Sequence, residues 1–107
     1  MTYKLFIDDE RLPMDDGWIT VRTSADAIEA VKRFDMPMFI SFDHDLGGDD
    51  TSMKFIKWMI DEFFDNHLKI PVGFDYYVHS QNPVGKANIE GLMNSFLRQL
   101  NSVHFGV

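Results

Sequence analysis

The chain has no cysteine among its 107 residues. A disulfide framework, a thiolate zinc site and a cysteine nucleophile are thereby excluded. Positive charge is also scarce: 10 Lys and Arg against 17 Asp and Glu leave a formal charge of −7, which argues against a broad electrostatic footprint on duplex DNA or RNA. A small anionic ligand is still compatible with this balance, because a metal ion or a few placed cations reverse the sign locally. No apolar run approaches membrane-spanning length, and the opening MTYKLFIDDE carries charge too early for a signal peptide. Linkers, repeats and low-complexity segments are missing too. These absences fit a single cytoplasmic domain over residues 1–107, with no membrane association.

What the chain does have is a series of short apolar runs that end in polar groups. YKLFI (Tyr3 to Ile7) reads as a strand ending in DDE, and WITVRT (Trp18 to Thr23) as a second strand. Ser24 can then cap a helix whose Ala27, Ile28, Val31 and Phe34 recur at helical spacing. MFISF (Met38 to Phe42) is a third strand and ends in DHD. Past Gly47 and Gly48, the residues Ile56, Met59, Ile60 and Phe63 mark a second helix, with Pro71 beyond its end. FDYYV (Phe74 to Val78) is a fourth strand and stops at His79. Asn82 and Pro83 form a strong helix start, followed by the stripe Ile89, Leu92, Met93, Phe96, Leu97 and Leu100. Strands alternating with helices predict an α/β fold with a mostly parallel sheet. The stretch between Ile7 and Trp18 is short for an ordinary crossover helix.

In open parallel sheets ligands bind outside the carboxyl ends of the strands. The expected strand ends deliver Asp8, Asp9 and Glu10, then Arg22, then Asp43, His44 and Asp45, then His79 to that edge. Asp8, Asp9 and Asp43 are hard oxygen ligands of the kind Mg2+ or Mn2+ takes. DDE alone fits better a solvated turn with one aspartate bonded to backbone amides; DHD beside it turns the reading to a metal or proton-transfer site. Imidazole can take or give a proton near neutral pH, which makes His44 and His79 candidates for general acid and base, whereas His67 and His104 are read as ordinary hydrogen-bonded histidines. Asp45 would orient an imidazole or cap the following helix. HSQNPVGKAN (His79 to Asn88) resembles an anion site at a helix N-terminus. There Gly85 would allow close backbone approach, Ser80, Asn82 and Asn88 would offer hydrogen bonds, and Lys86 would offer charge. Arg11 and Arg22 are further phosphate candidates, or partners for the surplus acids.

LFIDDERLP, VRT, ISFDHDLGG and HSQNPVGKANIEGLM, in that order and over nearly the whole chain, together resemble the cyclic-phosphate processing receiver domain family of bacterial and phage proteins. The resemblance implies a receiver-like (flavodoxin-like) three-layer α/β sandwich with a reduced, mostly parallel sheet of about four strands. It matches Asp8 and Asp9 with the metal-binding acids of receivers and Asp43 with their phosphoacceptor. A receiver's fifth strand and the lysine after it have no counterpart, while His44 and His79 are additions. The implied activity is a metal-assisted phosphoesterase that opens a cyclic phosphate on a nucleotide or an RNA end, in the host cytoplasm where a phage carries the gene. Two alternatives stand beside it. One is a non-catalytic domain that sequesters such a ligand, and the other is a receiver-type switch phosphorylated on Asp43 with the last helix as partner surface.

Overall fold

Each of the four apolar runs forms a strand in the structure, a computed structural model: β1 (Lys4–Ile7), β2 (Trp18–Val21), β3 (Phe39–Phe42) and β4 (Asp75–Val78). It describes the backbone of residues 2–105 and the side chains of residues 2–101, so the expectation for His104 lies outside the described side chains. The sheet is wholly parallel in the order β2-β1-β3-β4. These are the first four places of the 2-1-3-4-5 order of doubly wound receiver-like folds. Three helices complete the fold: α1 (Ser24–Phe34), α2 (Ser52–Phe64) and α3 (Pro83–Phe105). Among the described residues no helix is long and apolar enough to cross a membrane.

Local chemistry sets the helix starts. Thr23 rather than Ser24 caps α1, its Oγ1 accepting from the Asp26 N–H at 3.0 Å. Thr51 caps α2, so Asp45 is not the cap of that helix. Asn82 caps α3, its Oδ1 accepting from the Gly85 N–H at 3.0 Å, with Pro83 in the first helical position where no N–H is needed. Ser24 instead serves tertiary structure. It is buried, and both its N–H and its hydroxyl donate to the Asp50 carboxylate.

Burial pushes the Asp50 carboxyl up, but the two Ser24 donors and Lys54 outweigh it and hold the group below the usual carboxylate range. A carboxyl depressed in the folded state stabilises the fold above its unfolded value and loses that contribution as pH falls through the folded value. Asp50→Ala should therefore lower stability near neutral pH by about 1–3 kcal/mol and flatten the loss of stability in acid. Urea denaturation from about pH 7 down to about pH 2 reads both; a variant curve parallel to wild type would contradict the assignment.

Strand side chains alternate between faces, and here one face holds the core. Leu5, Ile7, Ile40, Phe42 and Val78 pack against Val31, Phe55, Ile56, Met59, Ile89, Met93 and Phe96 of the helices. Each such fully buried side chain contributes roughly 1.5–3 kcal/mol. Helix α1 packs on α2 and α2 on α3, so all three helices lie side by side on that face.

The layer count is therefore two, not the three expected, and connection handedness gives the reason. Right-handed crossovers running in opposite directions along a sheet lie on opposite faces. In the order β2-β1-β3-β4 only the β1-to-β2 connection runs backwards, and Asp8–Gly17 contains no helix. Among the described residues, the second face, carrying Phe6, Trp18, Phe39, Ser41 and Tyr77, therefore has only a loop across part of it. Asp15 holds that loop in place: its carboxylate accepts from Trp18 Nε1 at 2.7 Å and lies 3.6 Å from Lys4 Nζ.

The ladder continues one residue past the strands, through Asp8 N–H to Val21 O, Asp43 N–H to Ile7 O and His79 N–H to Phe42 O. Asp8, Asp43 and His79 thus keep the parity of the helix-free face and project from its carboxyl edge.

Candidate functional site

Asp8 is the buried anchor of that edge, with no exposed surface. Its Oδ1 accepts the N–H groups of Glu10 at 2.8 Å and Arg11 at 2.9 Å, which turns the chain sharply after β1. Its Oδ2 accepts Arg11 Nε and His79 Nε2, each at 2.9 Å. A carboxylate has about four lone-pair sites, and these bonds occupy them all. Burial pushes the Asp8 carboxyl up, but the Arg11 and Glu10 amides, His79 and the Arg11 charge together bring it below the usual range.

The two site histidines are used differently. His79 lies flat on Phe6, with ring centroids 4.6 Å apart and planes 5° from parallel. With Asp8 as an obligate acceptor, Nε2 carries the hydrogen, and Nδ1 shares a hydrogen bond of 2.7 Å with the buried Ser41 hydroxyl. Both ring nitrogens are thus engaged. Ser41 was not among the expected site residues, although its position two before Asp43, on the same strand face, was the available signal.

His44 Nδ1 donates to Asp45 Oδ1 at 3.0 Å, and Asp45 Oδ2 accepts from Asn82 Nδ2 at 3.0 Å. Those hydrogen bonds, from Asn82 first and then from His44, hold the Asp45 carboxyl below its usual range. Of the two roles expected for Asp45, orienting the imidazole is the one observed. Among the described residues His44 Nε2 has no hydrogen-bond partner, and it is not fully buried.

The His44 ring rests on Gly85 of α3. A Cβ added at Gly85 would stand 2.4 Å from His44 Cγ, so the glycine makes room for an imidazole rather than for a phosphate. Gly85→Ala should destabilise the fold by about 1–3 kcal/mol and move the His44 ring resonances in an NMR spectrum. Wild-type stability and unshifted resonances would contradict this packing.

Between the strand ends and the start of α3 lies an open pocket of about 400 Å³. Asp8, Asp9, Glu10, Asp43 and Asp45 form its acidic side, and Arg11, Ser80, Gln81 and Asn82 complete the lining. Glu10 and Gln81 join the expected set. Three phosphate candidates do not line it. Lys86 and Asn88 lie further along α3, and Arg22 folds back to donate from Nη1 to the carbonyls of Asp8 at 3.0 Å and Arg11 at 2.6 Å. Arg22 therefore braces the loop that presents Arg11. The first turn of α3 also has little to offer a phosphate, since Pro83 has no N–H and those of Gly85 and Lys86 already go to Asn82.

Asp8, Asp9 and Asp43 each place a carboxylate oxygen within 4.8 Å of the others. Asp8 has no lone pair left, whereas Asp9 and Asp43 retain theirs: Asp43 Oδ1 accepts from the His44 N–H at 2.9 Å, and Oδ2 lies 3.5 Å from Arg11 Nη2. This donor set fits a hard divalent cation of the Mg2+ or Mn2+ kind held by Asp9 and Asp43, with Asp8 behind them. A second group, Glu62, Asp65 and His67, is largely exposed, and His67 Nδ1 lies 3.4 Å from Glu62. It is an ordinary surface pair, consistent with the structural reading of His67.

A family model described as the cyclic-phosphate processing receiver domain matches residues 3–95, which include every side chain named in this pocket. No curated protein and no solved structure gives a significant match.

Proposed function

The chain belongs to the cyclic-phosphate processing receiver domain family, and on that premise we propose that the strand-end pocket binds a cyclic phosphate ester and opens its ring by hydrolysis. The observation that carries the hydrolytic step is His44, which does not itself line the pocket but whose Nδ1 is held by the lining residue Asp45, while Nε2 has no hydrogen-bond partner among the described residues. A carboxylate on one ring nitrogen fixes the tautomer and leaves the other nitrogen to take or give a proton.

In the reaction a water oxygen bonds to phosphorus and one ring P–O bond breaks. One water proton ends on the released ring oxygen, giving a phosphomonoester and a free hydroxyl. His44 Nε2 moves that proton. Arg11 binds the non-bridging oxygens through its terminal nitrogens, since Nε is its side-chain donor committed to Asp8. Ser80 keeps its hydroxyl proton, its Oγ serving as acceptor for the Asn82 N–H at 3.1 Å. A divalent ion held by Asp9 and Asp43 would supply Lewis acidity and an acidified water, and would offset the surplus negative charge.

Incubation with cyclic mononucleotides, cyclic oligonucleotides and RNA ending in a cyclic phosphate, with Mg2+, Mn2+ or chelator, tests this by mass spectrometry of the products. Metal-dependent ring opening that is lost in Asp43→Ala is expected. The absence of both product and bound ligand would refute the proposal. Ligand bound without product would favour sequestration, which one observation already supports: His79, with both nitrogens engaged, offers no second proton-transfer group.

A further inference from the structure

One oxygen of Asp43 faces two positive charges. Its Oδ1 accepts from the His44 N–H at 2.9 Å, and among the described residues its Oδ2 has no hydrogen-bond donor. Arg11 Nη2 stands 3.5 Å from that Oδ2, an ion contact longer than a hydrogen bond. A divalent cation held by Asp9 and Asp43 needs the same oxygen. Arg11 is tied down only at its near end. Its backbone N–H and its Nε each donate to the Asp8 carboxylate at 2.9 Å, and Arg22 holds the carbonyls of Asp8 and Arg11. Beyond Nε, the loose contact with Asp43 is the one ion pair of the terminal nitrogens among the described residues, and 45% of the side chain is exposed where it lines the pocket.

We propose that Arg11 couples the two ligands of the pocket, opposing a divalent cation at Asp9 and Asp43 while no anion is bound and favouring it once a phosphate engages the terminal nitrogens. The inference rests on the phosphate and cation reading of the pocket and adds that each ligand is held well only with the other. Without an anion, the guanidinium already offsets the charge of Asp43 and repels a second cation a few ångströms away. The Asp43 side chain is only 13% exposed, so salt screens that repulsion little. A phosphate oxygen placed between guanidinium and cation replaces the repulsion with two attractions. Arginine suits this role because its planar fork keeps one end on Asp8 while the other turns to the anion, whereas a lysine has a single ammonium for both. Coupling of this kind is reciprocal, so the cation strengthens phosphate binding by the factor by which phosphate strengthens cation binding.

The test measures Mn2+ affinity by electron paramagnetic resonance in wild type, Arg11→Gln, Arg11→Lys and Asp43→Ala, with and without inorganic phosphate, each against a protein-free control. Without phosphate, Arg11→Gln should bind Mn2+ about 5- to 150-fold more tightly than wild type, the usual range of a coupling between sites. Phosphate should then tighten Mn2+ binding more in wild type than in Arg11→Gln, which separates coupling from the mere loss of a positive charge. Arg11→Lys should bind Mn2+ about as wild type does without phosphate and gain less from phosphate; it keeps a charge for Asp8 and decides the matter by itself where Arg11→Gln does not fold. Mn2+ binding by Arg11→Gln no tighter than that of wild type, or an equal gain from phosphate with and without the arginine, would overturn the coupling and leave the pocket reading intact. No Mn2+ binding to wild type, or binding that Asp43→Ala leaves unchanged, would overturn the cation site and the coupling together.

Discussion

Replacing Asp8 with alanine should lower folding stability by about 3–5 kcal/mol, as expected when one partner of a buried ion pair is removed. The substitution takes four hydrogen bonds from one buried carboxylate. It leaves the Arg11 guanidinium without its closest counter-charge and His79 Nε2 without an acceptor, and it frees the tight turn after β1. Because a domain of this size is stabilised by only about 5–15 kcal/mol, the alanine variant could lie near its folding threshold. Asp8→Asn keeps the shape but turns a donor toward donors, so an intermediate loss is expected from it. Urea denaturation at neutral pH measures both. A loss below about 1 kcal/mol for Asp8→Ala, the range of an exposed ion pair, would show that Asp8 is not the anchor of this edge.

The second large effect is expected on turnover and separates the two histidines. His44→Ala should slow ring opening by about 10²- to 10⁴-fold, the usual contribution of a positioned proton-transfer group, with little change in substrate affinity. His79→Ala should act mainly through the fold, because its ring bridges Ser41 and Asp8 and covers Phe6. A loss of about 1–3 kcal/mol of stability, with a smaller fall in rate, is expected for it. Rate constants and denaturation midpoints for the two variants decide the matter. The opposite ranking, with His79→Ala the slower enzyme and His44→Ala near wild type, would transfer the proton-handling role to His79.

Much of this architecture was legible in the chain because its strands are short apolar runs closed by charged residues. Tyr3 to Ile7 followed by DDE, and Met38 to Phe42 followed by DHD, place β1, β3 and their carboxyl edge, since buried acids need partners and edges supply them. Asn82–Pro83 likewise marks the start of α3 through a cap and a missing N–H that act within one turn.

What was less legible depends on partners far away in sequence. Gly85 at a helix start reads as room for an anion, and only the fold shows that the His44 ring fills the space. Arg22 and Lys86 are interchangeable cations in a sequence; one is turned inward by two loop carbonyls and the other is carried past the pocket by the helix. The short connection between Ile7 and Trp18 signalled a missing helix. That its absence bares the aromatic face follows only when strand order and handedness are combined.

A crystal structure with a nucleoside 2′,3′-cyclic phosphorothioate and Mg2+ tests the central claim most directly. The account predicts phosphorus density between Asp43 and the Arg11, Ser80 and Asn82 side chains, with His44 Nε2 facing a ring oxygen. Ligand density elsewhere on the molecule, with the strand-end pocket empty at saturating ligand, would contradict it.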